Sequence, residues 1–170
     1  MTLLPLSNEQ VLECLRQENP WWATGQIDED YSGMQRRLYF DLFYPLVEDI
    51  SIKRAVILMG PRRVGKTVMI YHAIDALLKS GVSPHQIALV SVENPFFNKM
   101  PLEQLFKACL KATGEESPKG WYVFFDEIQY LKDWEVHLKS LVDNYPHTKF
   151  VVSRSAAAGQ SLPLHQIRYH

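Results

Sequence analysis

The chain has 170 residues and a formal net charge of −1, and its proportions of hydrophobic and charged residues are those of a globular domain. It lacks the excess of Lys and Arg that marks surfaces for nucleic acid, although a local basic patch stays compatible with this composition. Its two cysteines form no C-x-x-C pair, and no apolar run approaches the length of a membrane span. We therefore expect a cytoplasmic protein with one folded domain and no membrane partner.

Residues 1–50 are expected to form a helical segment that packs on the core. Ser7 and Gln10 have the spacing of a capping box, which predicts the start of a short helix. The aromatic-rich stretch from Tyr31 to Tyr44 predicts a second helix that ends before Pro45. Its aromatic side chains are predicted to lie in the core, because burial of their large area is their usual use.

Residues 51–158 show strands that alternate with helices. The predicted strands are the apolar runs Ala55–Met59, Ile87–Val92, Trp121–Phe125 and Lys149–Val152. The predicted helices are Lys66–Ser80, which Gly81 stops, Pro101–Lys111, and a helix that Asp133 caps. This alternation predicts an α/β domain in three layers with a mainly parallel sheet.

A complete phosphate-binding motif follows the first predicted strand. It matches the pattern G-x-x-x-x-G-K-S/T with Gly60, Pro61, Arg62, Arg63, Val64, Gly65, Lys66 and Thr67. Backbone N–H groups of this loop, continued by Val68, are expected to surround the phosphates of ATP at the positive end of a helix. Lys66 would contact the β- and γ-phosphates, and the Thr67 hydroxyl would bind Mg²⁺. The sequence leaves open whether Arg62 and Arg63 touch phosphate or face solvent.

An acidic pair, Asp126 and Glu127, follows the third predicted strand. Asp126 is expected to hold Mg²⁺ through its water shell. Glu127 is expected to orient or deprotonate the water that attacks the γ-phosphate. An Asp-Glu pair after a strand is alone equally compatible with a solvated loop, but the preceding motif favours a nucleoside triphosphatase site.

Small polar residues stand after the fourth predicted strand. Either Ser153 or Ser155 could sense the γ-phosphate beside the attacking water, and the sequence does not decide between them.

Three segments together resemble the bacterial and archaeal AAA ATPases of the AAA_14-like group, which carry a C-terminal domain called DUF4143. They are the motif at residues 60–67, Phe124-Phe125-Asp126-Glu127-Ile128-Gln129-Tyr130, and Trp134-Glu135-Val136-His137-Leu138-Lys139. The resemblance runs from about Leu3 to Ala158. It implies ATP binding and, in complete members, hydrolysis. It also implies a sheet in which the first strand of the core neighbours the fourth, with the third strand beyond.

Two features depart from this family. Ser153-Arg154-Ser155 stands where its members have a small-Gly-small tight turn, and residues 159–170 form a tail that no longer resembles the family. We therefore expect a truncated core without the fifth strand, lid, arginine finger and C-terminal domain, and hence weak hydrolysis. The strand Ala55–Met59 would then be an unpaired apolar edge that promotes self-association.

Two other functions are compatible with the phosphate-binding motif. The first is a non-catalytic interaction module that keeps nucleotide only for structure. The second is a small-molecule kinase, which is less favoured because Glu127 beside Asp126 indicates water as the acceptor.

Overall fold

The computed structural model describes residues 7–156 and, for the backbone alone, residues 166–169. The helices in this part of the chain are α1 (Asn8–Glu18), α2 (Trp21–Thr24), α3 (Glu29–Ser32), α4 (Phe40–Glu48), α5 (Lys66–Lys79), α6 (Leu102–Thr113) and α7 (Trp134–Asn144). The strands are β1 (Val56–Gly60), β2 (Ile87–Ser91), β3 (Tyr122–Asp126), β4 (Lys149–Ser155) and β5 (Gln166–Tyr169). Among the described helices, none has the length and apolar character needed to cross a membrane.

The strands form one sheet in the order β2-β3-β4-β1-β5. The pairs β2–β3, β3–β4 and β4–β1 are parallel, and β5 alone runs antiparallel, beside β1. The α/β fold with a mainly parallel sheet is therefore confirmed. The order that the resemblance implied is also confirmed, because β1 neighbours β4 and β3 lies beyond it.

The sheet is buried on both faces, which explains the nearly continuous apolar runs of its strands. Side chains alternate along each strand, so that Ile57 and Val123 join one core cluster, whereas Leu58 and Phe124 join the other. The first cluster includes residues of α1, α6 and α7, and the second includes residues of α4 and α5. Helices thus cover each face of the sheet, in three layers.

The expectation that β1 is an unpaired edge is wrong. β5 pairs with it, with Val56 opposite Tyr169 and Met59 opposite Gln166. Strand pairing uses backbone N–H and C=O groups, so residues 166–169 can supply a strand whatever their side chains are. β1 therefore offers no open edge through which two copies could associate.

The prediction of one helix from Tyr31 to Tyr44 is also wrong. α3 ends at Ser32, and α4 begins at Phe40 and continues through Pro45. A proline inside a helix removes its own N–H donor and crowds the carbonyl four residues earlier, but the burial of Phe40, Phe43 and Val47 on one face of α4 offsets this cost.

The outer edge of β2 is covered by side chains. The Asn19 side chain accepts a hydrogen bond from the Leu89 N–H at 2.6 Å and donates one to the Leu89 carbonyl at 2.9 Å. Neighbouring side chains continue this pattern: Trp21 and Trp22 donate to the Ile87 carbonyl, and Glu18 accepts from the Ser91 N–H. The end of α1 and the residues that follow it therefore satisfy edge groups that a further strand would otherwise pair.

Candidate functional site

The carboxyl ends of the parallel strands bring the predicted site residues to one edge of the sheet. Gly60, the last residue of β1, lies opposite Ser155 of β4, and Asp126, the last residue of β3, lies opposite Ser91 of β2. The Ala156 N–H also donates to the Gly60 carbonyl at 3.2 Å. In open α/β sheets this edge is where ligands bind.

The phosphate-binding loop joins β1 directly to α5. Gly65 is the N-cap of α5 with φ 94°, and Arg63 has φ 64°, so the loop uses the left-handed region twice. The Lys66 side chain is buried, and its Nζ donates to the carbonyls of Gly60 and Pro61. Burial lowers the pKa of Lys66, and the charges of the acidic pair act in the opposite direction. The loop thus places one cation at the positive end of a helix.

Asp126 lies at the centre of a buried hydrogen-bond network. It accepts one hydrogen bond from the Thr67 hydroxyl at 2.8 Å and another, on its other carboxylate oxygen, from the Ser153 hydroxyl. Burial raises the pKa of Asp126, and these two hydrogen bonds oppose the rise. The network fixes the carboxylate beside the start of α5.

Thr67 and Asp126 form the oxygen donor set that Mg²⁺ prefers. Their 2.8 Å contact places both at the loop that would hold the nucleotide phosphates. Among the described residues there is no group of three or more His, Cys, Asp or Glu side chains that could hold a metal. The arrangement fits an ion held by two protein side chains together with phosphate and water.

Glu127 has a left-handed backbone, with φ 54°. Its carboxylate accepts hydrogen bonds from the Ser155 hydroxyl at 2.8 Å and from the Gln129 amide at 2.5 Å. The backbone N–H of Ser155 in turn donates to the Gln129 side-chain carbonyl at 3.2 Å, which closes a hydrogen-bonded ring of three residues. Non-glycine residues in this backbone region are strained and cluster at functional sites.

The fourth strand was predicted to end at Val152, but β4 continues through Ser155, so Ser153, Arg154 and Ser155 form strand in place of the family's tight turn. Alternation along the strand therefore separates its residues. Ser153 and Ser155 reach the acidic pair, whereas the Arg154 guanidinium lies 5.9 Å from the centre of the Trp134 ring. Ser153 also accepts a hydrogen bond from the Glu127 N–H at 2.8 Å, so its hydroxyl links the two acidic residues.

Arg62 and Arg63 are both exposed. Arg62 donates a hydrogen bond to the Tyr130 hydroxyl, and its guanidinium lies 5.7 Å from the centre of the Tyr130 ring. Farther along, Asp133 occupies the N-cap of α7 with φ 56° but makes no side-chain capping bond. The predicted N-cap position of Asp133 is therefore confirmed, but its side chain does not make the capping hydrogen bond.

No role was predicted from the sequence for three residues near the site, Gln129, Arg37 and Glu18. Gln129 stood only in the family-like run, and Arg37 and Glu18 lie in the N-terminal segment. Glu18 accepts from the N–H of Ser91, opposite Asp126 in the sheet, and burial raises the pKa of Glu18 to about 7. Its place three residues after the end of β3 could have suggested Gln129, but no local pattern marks the other two.

Comparison with known proteins identifies the family. The AAA_14 model, described as an AAA domain, matches residues 52–165, which is more than half of the chain. The chain belongs to this family of AAA domains. The match contains the phosphate-binding loop and the acidic pair, and it extends past Ala158. It begins after Arg37 and after the residues that cover β2.

A search of curated proteins found no match for this AAA domain. One similar solved structure is that of PCH-2 from C. elegans. It shares 11% sequence identity with a TM-score of 0.47, over 83% of this chain and 42% of that chain. The AAA domain therefore spans less than half the length of that structure.

Proposed function

We propose that this AAA domain binds ATP together with Mg²⁺ and hydrolyses it slowly, and that it belongs to the AAA_14-like group with DUF4143 domains. The observation that carries the proposal is the 2.8 Å contact between Thr67 and Asp126 beside buried Lys66. This contact joins the phosphate-binding loop to the acidic strand end, and family membership supports nucleotide binding at the loop.

In the proposed site each group has one role. Backbone N–H groups at residues 60–68 hold the phosphates, and Lys66 neutralises the β- and γ-phosphates after exchanging its carbonyl contacts for phosphate oxygens. Thr67 and Asp126 would hold Mg²⁺, which would offset the negative charge of the phosphates. The Ser153 hydroxyl bonds both the Asp126 carboxylate and the Glu127 N–H, and so it fixes the positions of these two residues relative to each other.

Glu127 is proposed as the residue that orients the attacking water and accepts its proton. In the structure both of its carboxylate oxygens already accept hydrogen bonds, from Ser155 and Gln129. Each oxygen can accept one further hydrogen bond, so a water can still contact Glu127, but the two existing bonds restrict the orientation of the carboxylate, which supports slow turnover. The same observation favours the second candidate function, nucleotide binding without hydrolysis.

Thermal unfolding with and without Mg-ATP tests the proposal. A ligand that binds only the folded state at about 100 times its Kd adds about 2.7 kcal/mol to the free energy of unfolding. We expect this gain for the parent and for Lys79→Ala, which removes an exposed lysine at the other end of α5. Lys66→Ala should lose it.

Phosphate release measured on the same proteins separates the two functions. Slow release that disappears in Glu127→Gln supports hydrolysis, whereas undetectable release with full binding supports the non-catalytic module. Equal stabilisation of Lys66→Ala and the parent by Mg-ATP would contradict the assignment of the loop.

A further inference from the structure

The N-terminal segment places one arginine directly on the phosphate-binding loop. A Cβ atom added to Gly65 would lie 2.6 Å from Nε of Arg37 and 3.0 Å from its Cζ. The guanidinium therefore packs against the backbone of the residue that caps α5. Only a residue without a side chain permits this approach.

Contacts with α5 hold the segment on both sides of Arg37. Before it, the Tyr31 ring stacks on Tyr71 with centroids 3.9 Å apart, and His72 shares a 2.8 Å hydrogen bond with the Tyr31 carbonyl. After it, buried Phe40 packs edge-on against His72 at 6.3 Å. Because both anchors are on the helix that begins at the loop, the backbone of the segment that carries Arg37 is held next to the loop.

Arg37 is exposed and makes no ion pair within residues 7–156. The adjacent loop carries Arg62, Arg63 and Lys66 at the positive end of α5. These like charges repel one another, which raises the free energy of the ligand-free site. A bound anion is attracted to all of them and offsets this repulsion. Its neighbour Arg36 differs, because the Arg36 guanidinium lies 4.4 Å from the centre of the Phe40 ring.

We propose that Arg37 is a further ligand-binding residue, which donates hydrogen bonds to a phosphate group of the nucleotide held by the loop. This inference rests on the proposed nucleotide binding. The planar guanidinium offers several donors in a fork that matches phosphate oxygens, whereas an ammonium acts as a point charge. The phosphate-binding site thus extends into the N-terminal segment, outside the residues that match the AAA domain family.

This inference is tested by measuring the affinity for ATP and for ADP in three variants: Arg37→Ala, Arg37→Lys and Arg36→Ala. The melting temperature of each variant without ligand is the second measurement. Loss of hydrogen bonds to a charged phosphate should weaken both nucleotides by about 10- to 100-fold in Arg37→Ala. Arg37→Lys should recover part of that loss, and Arg36→Ala should match the parent. Ligand-free melting temperatures should be unchanged, because both arginines are exposed.

Three results would overturn the role of Arg37 while leaving nucleotide binding intact. They are equal affinities of Arg37→Ala and Arg36→Ala, a lower ligand-free melting temperature of Arg37→Ala at unchanged affinity, and tighter binding by Arg37→Ala. The second result would show that Arg37 stabilises the folded loop by its contact with Gly65. The third would show that the Arg37 side chain occupies the position of a phosphate and competes with the nucleotide. Failure of the parent itself to bind ATP would instead overturn the proposed function.

Discussion

The N-terminal segment contacts the core in two places that differ in kind. At the edge of β2, Asn19 is 1% exposed and its side chain makes hydrogen bonds with both backbone groups of Leu89. At the phosphate-binding loop, Arg37 is exposed and its charge is balanced by no ion pair in the described part of the chain. The first contact is complete without a ligand, whereas the second brings donors that an anion can use. The same segment therefore contributes to stability at one contact and is proposed to contribute to binding at the other.

Asn19→Ala should give the largest effect, and on stability alone. It leaves the Leu89 N–H and carbonyl buried without their partners, which should lower the free energy of unfolding by about 2 to 4 kcal/mol. Urea unfolding measures this loss, with exposed Gln17→Ala as the control. A folded Asn19→Ala protein should keep the nucleotide affinity of the parent, and a large loss of affinity would show that the two contacts are coupled.

Asp126 and Glu127, at the end of β3, share features of both contacts. Their side chains already have hydrogen-bond partners in the protein, and they also lie where the proposed ligand would bind. Asp126→Ala should weaken ATP binding by about 10- to 100-fold in Mg²⁺, since it removes a proposed metal ligand. In EDTA the loss should be much smaller. Glu127→Gln should leave affinity largely intact under both conditions, because Glu127 is not assigned to the metal.

Titrations with and without EDTA make this comparison. Equal losses for the two variants in both conditions would contradict the division of roles between Asp126 and Glu127.

Gly65→Ala should give the smallest effect and isolate the Arg37 contact. Any side chain at φ 94° costs about 1 to 2 kcal/mol of backbone strain, and the added Cβ also meets Arg37. Gly81→Ala is the matched control, because Gly81 has φ 100° at the other end of α5 and nothing within 4 Å of its added Cβ. The difference between the two losses in urea unfolding measures the contact.

That difference should shrink in an Arg37→Ala background. If it stays the same, the guanidinium moves aside freely and is not held against the loop.

The sequence predicted the parts of the site that lie close together along the chain. Lys66 and Thr67 stand at fixed offsets from Gly60, and Asp126 follows directly on a buried strand, so local pattern was enough. The acidic pair and the loop then meet because parallel strands end at one edge of the sheet.

Contacts between distant segments could not be predicted in this way. Asn19 meets Leu89 across 70 residues, and Arg37 reaches Gly65 only because Tyr31 and Phe40 pack on α5. β5 was missed because pairing depends on backbone groups, which every sequence carries. The end of β4 was placed too early because Ser153 and Arg154 interrupt its apolar run, although both belong to the strand and Arg154 packs near the Trp134 ring.

Coverage of β2 by side chains has a consequence for the exchange of amide hydrogens with solvent. The N–H groups of Leu89 and Ser91 lie at the rim of the sheet, where amides without partners exchange fastest, yet they donate to Asn19 and Glu18. Their exchange rates therefore report whether residues 18–22 are attached, independently of pairing among the central strands. Local detachment of the N-terminal segment would appear as loss of protection at these two amides while those of β1 and β4 stay protected.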